Sequence, residues 1–141
     1  MEGMDRFETH PARDATVRSM AAVEAGSREG WLAQFAEDAV VEDPIGPSMF
    51  DPEGKGHHGH DGIGAFYDTV VSTGEVRFAI RESYAAGDEC ANVGTITTTF
   101  PDGGMVDTDL VMVYRVDERG RVASMRAYWE PERAMATYRK R

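Results

Sequence analysis

Cysteine is almost absent from this chain of 141 residues, in which Cys90 stands alone. A single cysteine excludes an internal disulfide, and we expect a reducing, cytoplasmic location. Long apolar runs are also absent, because no segment approaches the ~20 apolar residues that cross a bilayer. Residues 1–13 contain no apolar centre of the kind found in signal peptides. We therefore expect no membrane partner.

Positive charge is scarce as well. The chain has 15 Lys and Arg against 25 Asp and Glu, for a net charge of −10. Such a field repels the phosphates of nucleic acids and the anionic headgroups of membranes, so nucleic acid is not an expected partner. With 41% hydrophobic residues, the chain is apolar enough to form one globular domain of this length.

The first half of the chain carries helical patterns. Residues 1–12 are polar, and we expect them to be frayed, with a single domain over 13–141. Apolar residues at helical spacing predict a first helix from Arg13 to Ala25, and Ser27 is a suitable N-cap for a second. A third helix follows a long loop. The apolar positions of the second helix are Trp31, Leu32 and Phe35, and those of the third are Ile63, Phe66, Tyr67 and Val70.

Strands dominate the second half. A short strand at Ala39–Glu42 stops before Pro44, which cannot donate to a sheet. Further strands show alternating apolar residues and are separated by turns rich in glycine, proline and aspartate. They are predicted around Val76–Arg81, Cys90–Phe100, Asp107–Val116 and Arg121–Trp129, and Pro131 opens a short C-terminal helix.

This order of elements predicts an α+β fold with helices on one side of an antiparallel sheet. A sheet that curves around helices encloses a pocket, so we expect a cone-shaped domain with an apolar cavity. Leu110, Met112 and Tyr114 share one strand face and are expected to line that cavity. Asp107 and Asp109 then face outward, as solvated or interface residues.

Four blocks of sequence resemble the ketosteroid isomerase family, within the nuclear transport factor 2-like and SnoaL-like superfamily. They occur in the family's order and extend over most of the chain. The resemblance implies a cystatin-like cone-shaped fold, a homodimer, and an activity without metal or organic cofactor. The blocks are Val41-Glu42-Asp43-Pro44-Ile45-Gly46, His58-Gly59 with Ala65-Phe66-Tyr67, Asp117-Glu118-Arg119-Gly120-Arg121-Val122, and Met125-Arg126-Ala127-Tyr128-Trp129.

The resemblance implies roles for three residues. Asp43 matches the general base, which removes a proton next to a carbonyl and returns it two carbons away. Trp129 matches an aromatic residue near that base, and Tyr67 matches a tyrosine that supports the oxyanion hole. Because an apolar wall such as Trp129 desolvates a carboxylate, we expect a raised pKa for Asp43.

The donors of the oxyanion hole depart from the family pattern. Counted without gaps, Ser19 stands in place of the principal tyrosine donor and Met112 in place of a protonated aspartic acid. Phe35 replaces a further supporting tyrosine. Because one missing donor typically costs ~10²–10³ in rate, we expect a substitute, with Tyr67 first and Ser19 second. The expected substrate-binding residues are Ser19, Phe35, Met112, Tyr114 and Trp129.

A glycine-rich loop at 45–59 carries His57 and His58, and His60 follows it. These histidines lack a carboxylate or cysteine partner at a known metal spacing, so we predict no metal site. The loop is longer than its counterpart in the family. It is either a lid over the cavity mouth or a surface excursion.

Several functions are compatible with these residues. The first is an isomerase acting on a hydrophobic, steroid-like substrate. The alternatives are a binder of steroid or polyketide-like ligands without fast chemistry, and a SnoaL-like cyclase, which also needs one acid–base group. A dehydratase of this fold would need a His–Asp pair in the cavity, and a pure dimerisation scaffold has no use for Asp43. Val111 and Val113 on the outer face of the sheet indicate a dimer contact.

Overall fold

Helices α1 and α3 cover one face of a sheet in the computed structural model, which describes residues 1–140. His10 caps α1 by accepting from the backbone N–H of Ala12 at 3.1 Å, and Pro11 occupies the first turn, where no N–H is needed. Within the described residues, no helix has the length and apolar character to cross a membrane. The helices are α1 (Pro11–Glu24), α2 (Arg28–Leu32), α3 (Gly59–Thr69) and α4 (Pro131–Met135), with a 3₁₀ turn at Val71–Thr73.

Seven strands of the described chain form one sheet in the order β2-β1-β6-β5-β4-β3, and β7 pairs with the start of β5. Neighbouring strands are antiparallel except β1 and β6, which are parallel. The strands are β1 (Phe35–Glu42), β2 (His57–His58), β3 (Glu75–Ala86), β4 (Glu89–Thr99), β5 (Gly104–Val116), β6 (Val122–Tyr128) and β7 (Arg139–Lys140).

Alternation along β5 separates the core from the outer face. Leu110, Met112 and Tyr114 are buried beneath the helices. Asp107 and Asp109 lie on the opposite face, where each accepts a hydrogen bond from a β4 threonine at 2.7 Å. The predicted division of this strand is therefore confirmed, as is an α+β fold with helices packed on a curved sheet.

The first residues of the chain are ordered, so the prediction of a frayed segment over 1–12 is wrong for its beginning. The backbone N–H of Glu2 donates to the Phe78 carbonyl at 3.0 Å, and that of Ile80 donates to the Glu2 carbonyl at 2.8 Å. Met4 is buried in the core. These residues are ordered because β3 is an edge strand, whose free backbone N–H and C=O groups bind the start of the chain. The polar composition of residues 1–12 does not reveal this pairing.

Phe35 belongs to a strand and not to the second helix. Helix α2 ends at Leu32, and Phe35 pairs with Val122 at the start of β6. The backbone N–H of Val122 also donates to the Gln34 carbonyl at 2.7 Å. This long-range pairing overrides the helical spacing of the apolar residues, and it starts β1 before the predicted position at Ala39.

Candidate active site

A cavity of about 350 Å³ opens between the inner face of the sheet and the helices. Its wall is predominantly apolar, and among the described residues Asp43 is the only charged side chain that lines it. A concave apolar site with a few polar groups suits a small hydrophobic ligand. Bulky lining side chains are Phe66, Phe78, Ile96, Met112, Tyr114 and Met125.

Asp43 follows the last residue of β1, and it lines the cavity together with Trp129. The indole Nε1 of Trp129 donates to Asp43 Oδ1 at 2.6 Å. The two residues meet because β1 and β6 run parallel, with Glu42 opposite Arg126. Phe50 packs against Trp129 from the loop side, with 6.2 Å between ring centroids. The carboxylate therefore has a fixed orientation at the cavity wall.

Burial raises the pKa of Asp43 from 3.8 to about 6, although the hydrogen bond from Trp129 acts in the opposite direction. The carboxylate loses the hydration that stabilises its charge, and the indole N–H replaces only part of it. A base with this pKa is still mostly ionised at pH 7. It accepts a proton more readily than an ordinary aspartate does.

Replacement of Trp129 by phenylalanine is expected to raise the pKa of Asp43 above about 6. Phenylalanine keeps an aromatic wall but removes the N–H that stabilises the carboxylate. Carbon-13 NMR titration of labelled aspartates measures this pKa. Trp31→Phe is the matched control, because the indole of Trp31 donates to Ser19 and not to Asp43. An unchanged or lower pKa in Trp129→Phe would show that the indole does not stabilise the charge.

Tyr114 brings a second functional group to the cavity from β5. Burial raises the pKa of its phenol, interaction with the Ser19 hydroxyl lowers it, and the charge of Asp43 raises it again. The phenol therefore lies within electrostatic range of Asp43 and beside Ser19. It stays protonated at neutral pH, so it is available as a hydrogen-bond donor.

Ser19 does not line the cavity, contrary to its predicted role in substrate binding. It lies on α1 with 1% of its surface exposed, and its Oγ accepts a hydrogen bond from Trp31 Nε1 at 3.1 Å. The serine is too short to reach past the wall. Tyr114 lies next to it, so the phenol at this end of the cavity comes from a strand and not from the first helix.

Tyr67 and Phe35 are also absent from the cavity lining, which corrects their predicted roles as oxyanion donor and substrate contact. Both pack against Trp31, with ring centroids at 5.5 Å and 4.9 Å, respectively. Trp31 itself lines the cavity, whereas the other two rings do not. Of the predicted contacts, Met112, Tyr114 and Trp129 do lie at the cavity. Leu110 is also predicted to line it but does not; it is buried in the core and borders a separate depression.

The loop at 45–59 contributes part of the cavity mouth. Met49 and Phe50 both line the cavity, and Met49 is 66% exposed. Asp51 organises the loop by accepting from the backbone N–H of Gly56 at 2.8 Å. Sequence patterns missed Met49 and Phe50, because loop residues have no periodicity that assigns them a face.

The three histidines near this loop do not converge. His57 packs against Phe66, with 4.5 Å between ring centroids. The Nε2 atoms of His58 and His60 contact backbone carbonyls at 2.6 Å and 2.9 Å. Across residues 1–140, no three His, Cys, Asp or Glu side chains are placed to hold a metal ion.

Comparison with known families matches residues 16–125 to the SnoaL-like domain. The chain belongs to the SnoaL-like family. The matched segment runs from α1 into β6 and includes the elements that build most of the cavity. The predicted superfamily is thereby confirmed.

This SnoaL-like chain is similar to solved structures over most of its length. It is 35% identical to the Δ5-3-ketosteroid isomerase of Mycobacterium sp., with a TM-score of 0.84 over 93% of this chain and 98% of that one. It is 34% identical to RV0760c of Mycobacterium tuberculosis in complex with estradiol-17beta-hemisuccinate, with a TM-score of 0.83 over 93% and 99%. The Steroid Delta-isomerase of Nocardioides simplex is 29% identical over 117 residues, 83% of this chain and 88% of that protein.

Proposed function

We propose that this SnoaL-like chain is a cofactor-independent isomerase that transfers a proton next to the carbonyl of a neutral, steroid-like substrate. The observation that carries the proposal is Asp43, whose carboxylate lines an apolar cavity, is held by Trp129 and has a pKa of about 6. Two similar proteins are steroid isomerases, and a third was solved with a steroid derivative. These likenesses support the substrate class.

The proposed reaction uses Asp43 twice. The ionised carboxylate removes a proton from the carbon between the substrate ketone and a carbon–carbon double bond. The electron pair of the broken C–H bond moves towards the ketone, whose oxygen becomes a conjugated enolate oxygen. Protonated Asp43 then returns the proton two carbons away, and the double bond ends in conjugation with the restored ketone. The hydrogen bond from Trp129 keeps one carboxylate oxygen fixed during both transfers.

Tyr114 is the proposed donor to the enolate oxygen. It replaces the two candidates from the sequence, Tyr67 and Ser19, because its phenol is at the cavity and within electrostatic range of Asp43. Ser19 lies beside this phenol. The indole Nε1 of Trp31 donates a hydrogen bond to Ser19 Oγ at 3.1 Å and holds the serine in place. A buried donor at this place stabilises negative charge as it develops on the substrate oxygen.

The function is tested with a Δ5-3-ketosteroid by following the absorbance of the conjugated enone. Saturable turnover by the wild type, lost in Asp43→Asn, is the expected result. Steroid binding without turnover above that of buffer would favour a binder of steroid or polyketide-like ligands. Absence of both would favour a SnoaL-like cyclase or another substrate class.

We also propose a homodimer formed by the outer face of the sheet. Val93, Val111 and Tyr128 line a depression there, and Tyr128 is 50% exposed. Charged side chains border these residues, namely Arg81, Asp109, Glu130 and Arg133. Light scattering should give twice the monomer mass for the wild type and the monomer mass for Val111→Lys, because a buried lysine loses its hydration. Glu53→Lys, in the exposed loop, is the control and should stay dimeric. A monomeric wild type would overturn this proposal.

A further inference from the structure

Two threonine hydroxyls lie along the cavity at a distance from Asp43. Thr98 on β4 and Thr108 on β5 line the cavity, and both are half-buried. Thr98 is opposite Val106 and Thr108 is opposite Ile96, so the two threonines are diagonal neighbours on the inner face of the sheet. Such neighbours are about 7–8 Å apart. Both hydroxyls can therefore reach the same part of a ligand.

These hydroxyls differ from the other threonine hydroxyls of the cavity. The Oγ1 atoms of Thr69 and Thr73 donate to backbone carbonyls of their own segments at 2.9 Å and 2.7 Å. Within residues 1–140, the hydroxyls of Thr98 and Thr108 donate no such hydrogen bond to a backbone carbonyl, and both threonines line the cavity. A hydroxyl in an apolar wall gains most from a ligand that satisfies it.

The strand register places the threonines and the carboxylate at different ends of the cavity. Glu42, which precedes Asp43, is opposite Arg126 on β6, and Arg126 is opposite Val113 on β5. Thr108 precedes Val113 by five residues, and β6 lies between β1 and β5. A ligand that contacts both the threonines and Asp43 must therefore be elongated.

We infer that Thr98 and Thr108 form a second polar contact point, which binds a hydroxyl or carbonyl oxygen at the far end of the ligand. The cavity thus selects an elongated neutral molecule with an oxygen at each end. Lys and Arg are absent from the lining within the described residues, so a carboxylate would find no cation at this end. The orientation of the ligand, with its reacting carbonyl beside Asp43, rests on the proposed function.

The test compares two conjugated 3-ketosteroids that differ only in a 17-oxo group. Binding is followed by the fluorescence of Trp31 and Trp129, both of which line the cavity. The wild type is expected to bind the 17-oxo steroid about 5- to 10-fold more tightly, the effect of one net hydrogen bond. In Thr98→Val/Thr108→Val this ratio should fall to about one, because valine keeps the branched shape and removes the hydroxyl.

Two further variants separate the hydroxyl from effects on folding. Thr108→Ser keeps a hydroxyl and should keep the preference, whereas Thr97→Val, on the outer face, should leave it unchanged. Single Thr98→Val and Thr108→Val variants replace the double variant if that one does not fold. An undiminished preference in the valine variants would overturn the inference, as would equal binding of both steroids, or no binding of either, by the wild type. The test measures binding and not turnover. The ratio of the two affinities can therefore be determined even if Asp43 is not a catalytic base.

Discussion

Asp43→Asn is expected to lower kcat by about 10²–10⁴-fold, the typical contribution of a positioned general base. The amide cannot take up the substrate proton. It keeps the size of the side chain, and its oxygen can still accept from Trp129 Nε1, so the cavity keeps its shape. The enone assay at pH 8 measures the loss.

The control for this variant is Asp109→Asn, which removes a carboxylate from the outer face and should leave kcat unchanged. A kcat within a few-fold of the wild type in Asp43→Asn would exclude Asp43 as the base. An equal loss in both variants would point to a general effect of charge.

Asp43→Asn should also be more stable than the wild type at pH 8, which separates loss of function from loss of fold. The pKa of Asp43 is about 6 in the folded protein against 3.8 for an ordinary aspartate. The folded state therefore binds more protons between these values, and wild-type stability falls as pH rises through this window. This difference between the two pKa values lowers the free energy of unfolding of the wild type by ~3 kcal/mol above pH 6. Urea unfolding should show the advantage of the variant at pH 8 and little at pH 4.

Tyr114→Phe is expected to lower kcat by about 10²–10³-fold with a small change in KM, because its hydroxyl acts mainly on the charge of the enolate. Phenylalanine fills almost the same volume, so the cavity wall stays closed. The same assay measures the effect, together with steroid affinity by fluorescence.

The matched control for this second prediction is Tyr84→Phe, since Tyr84 is on β3 with 63% of its surface exposed. It should behave as the wild type. If Tyr114→Phe retains full kcat while Tyr67→Phe loses it, the oxyanion donor is Tyr67 and the geometric assignment fails.

Residues on strands could be assigned to the cavity from the sequence. The two-residue period of β5 places Met112 and Tyr114 on the inner face, and the structure agrees. The sequence predicts the proximity of Asp43 and Trp129 only as an implication of the family resemblance. Spacing alone does not show that the ends of β1 and β6, far apart in the chain, lie side by side.

Helical and loop residues could not be assigned in this way. Tyr67 has the spacing of a buried face, but its ring packs against Trp31 and does not line the cavity. Counting without gaps assigned Ser19 to the place of a donor, although the phenol beside that place comes from Tyr114 on β5. The position of a functional group in space thus does not follow from its position in an alignment. Phe50 in the loop had no periodic signal at all.

Removal of a deuterium label from the substrate tests most directly whether Asp43 transfers protons next to a carbonyl. A Δ5-3-ketosteroid that carries deuterium at the carbon between its ketone and its double bond is incubated in water at pH 8 with the wild type or Asp43→Asn, and loss of deuterium from that carbon is measured by NMR. The wild type should remove the deuterium, which then appears two carbons away or in water, and Asp43→Asn should remove it no faster than buffer. Removal by Asp43→Asn at the wild-type rate, or none above buffer by the wild type, would contradict the proposed role of Asp43.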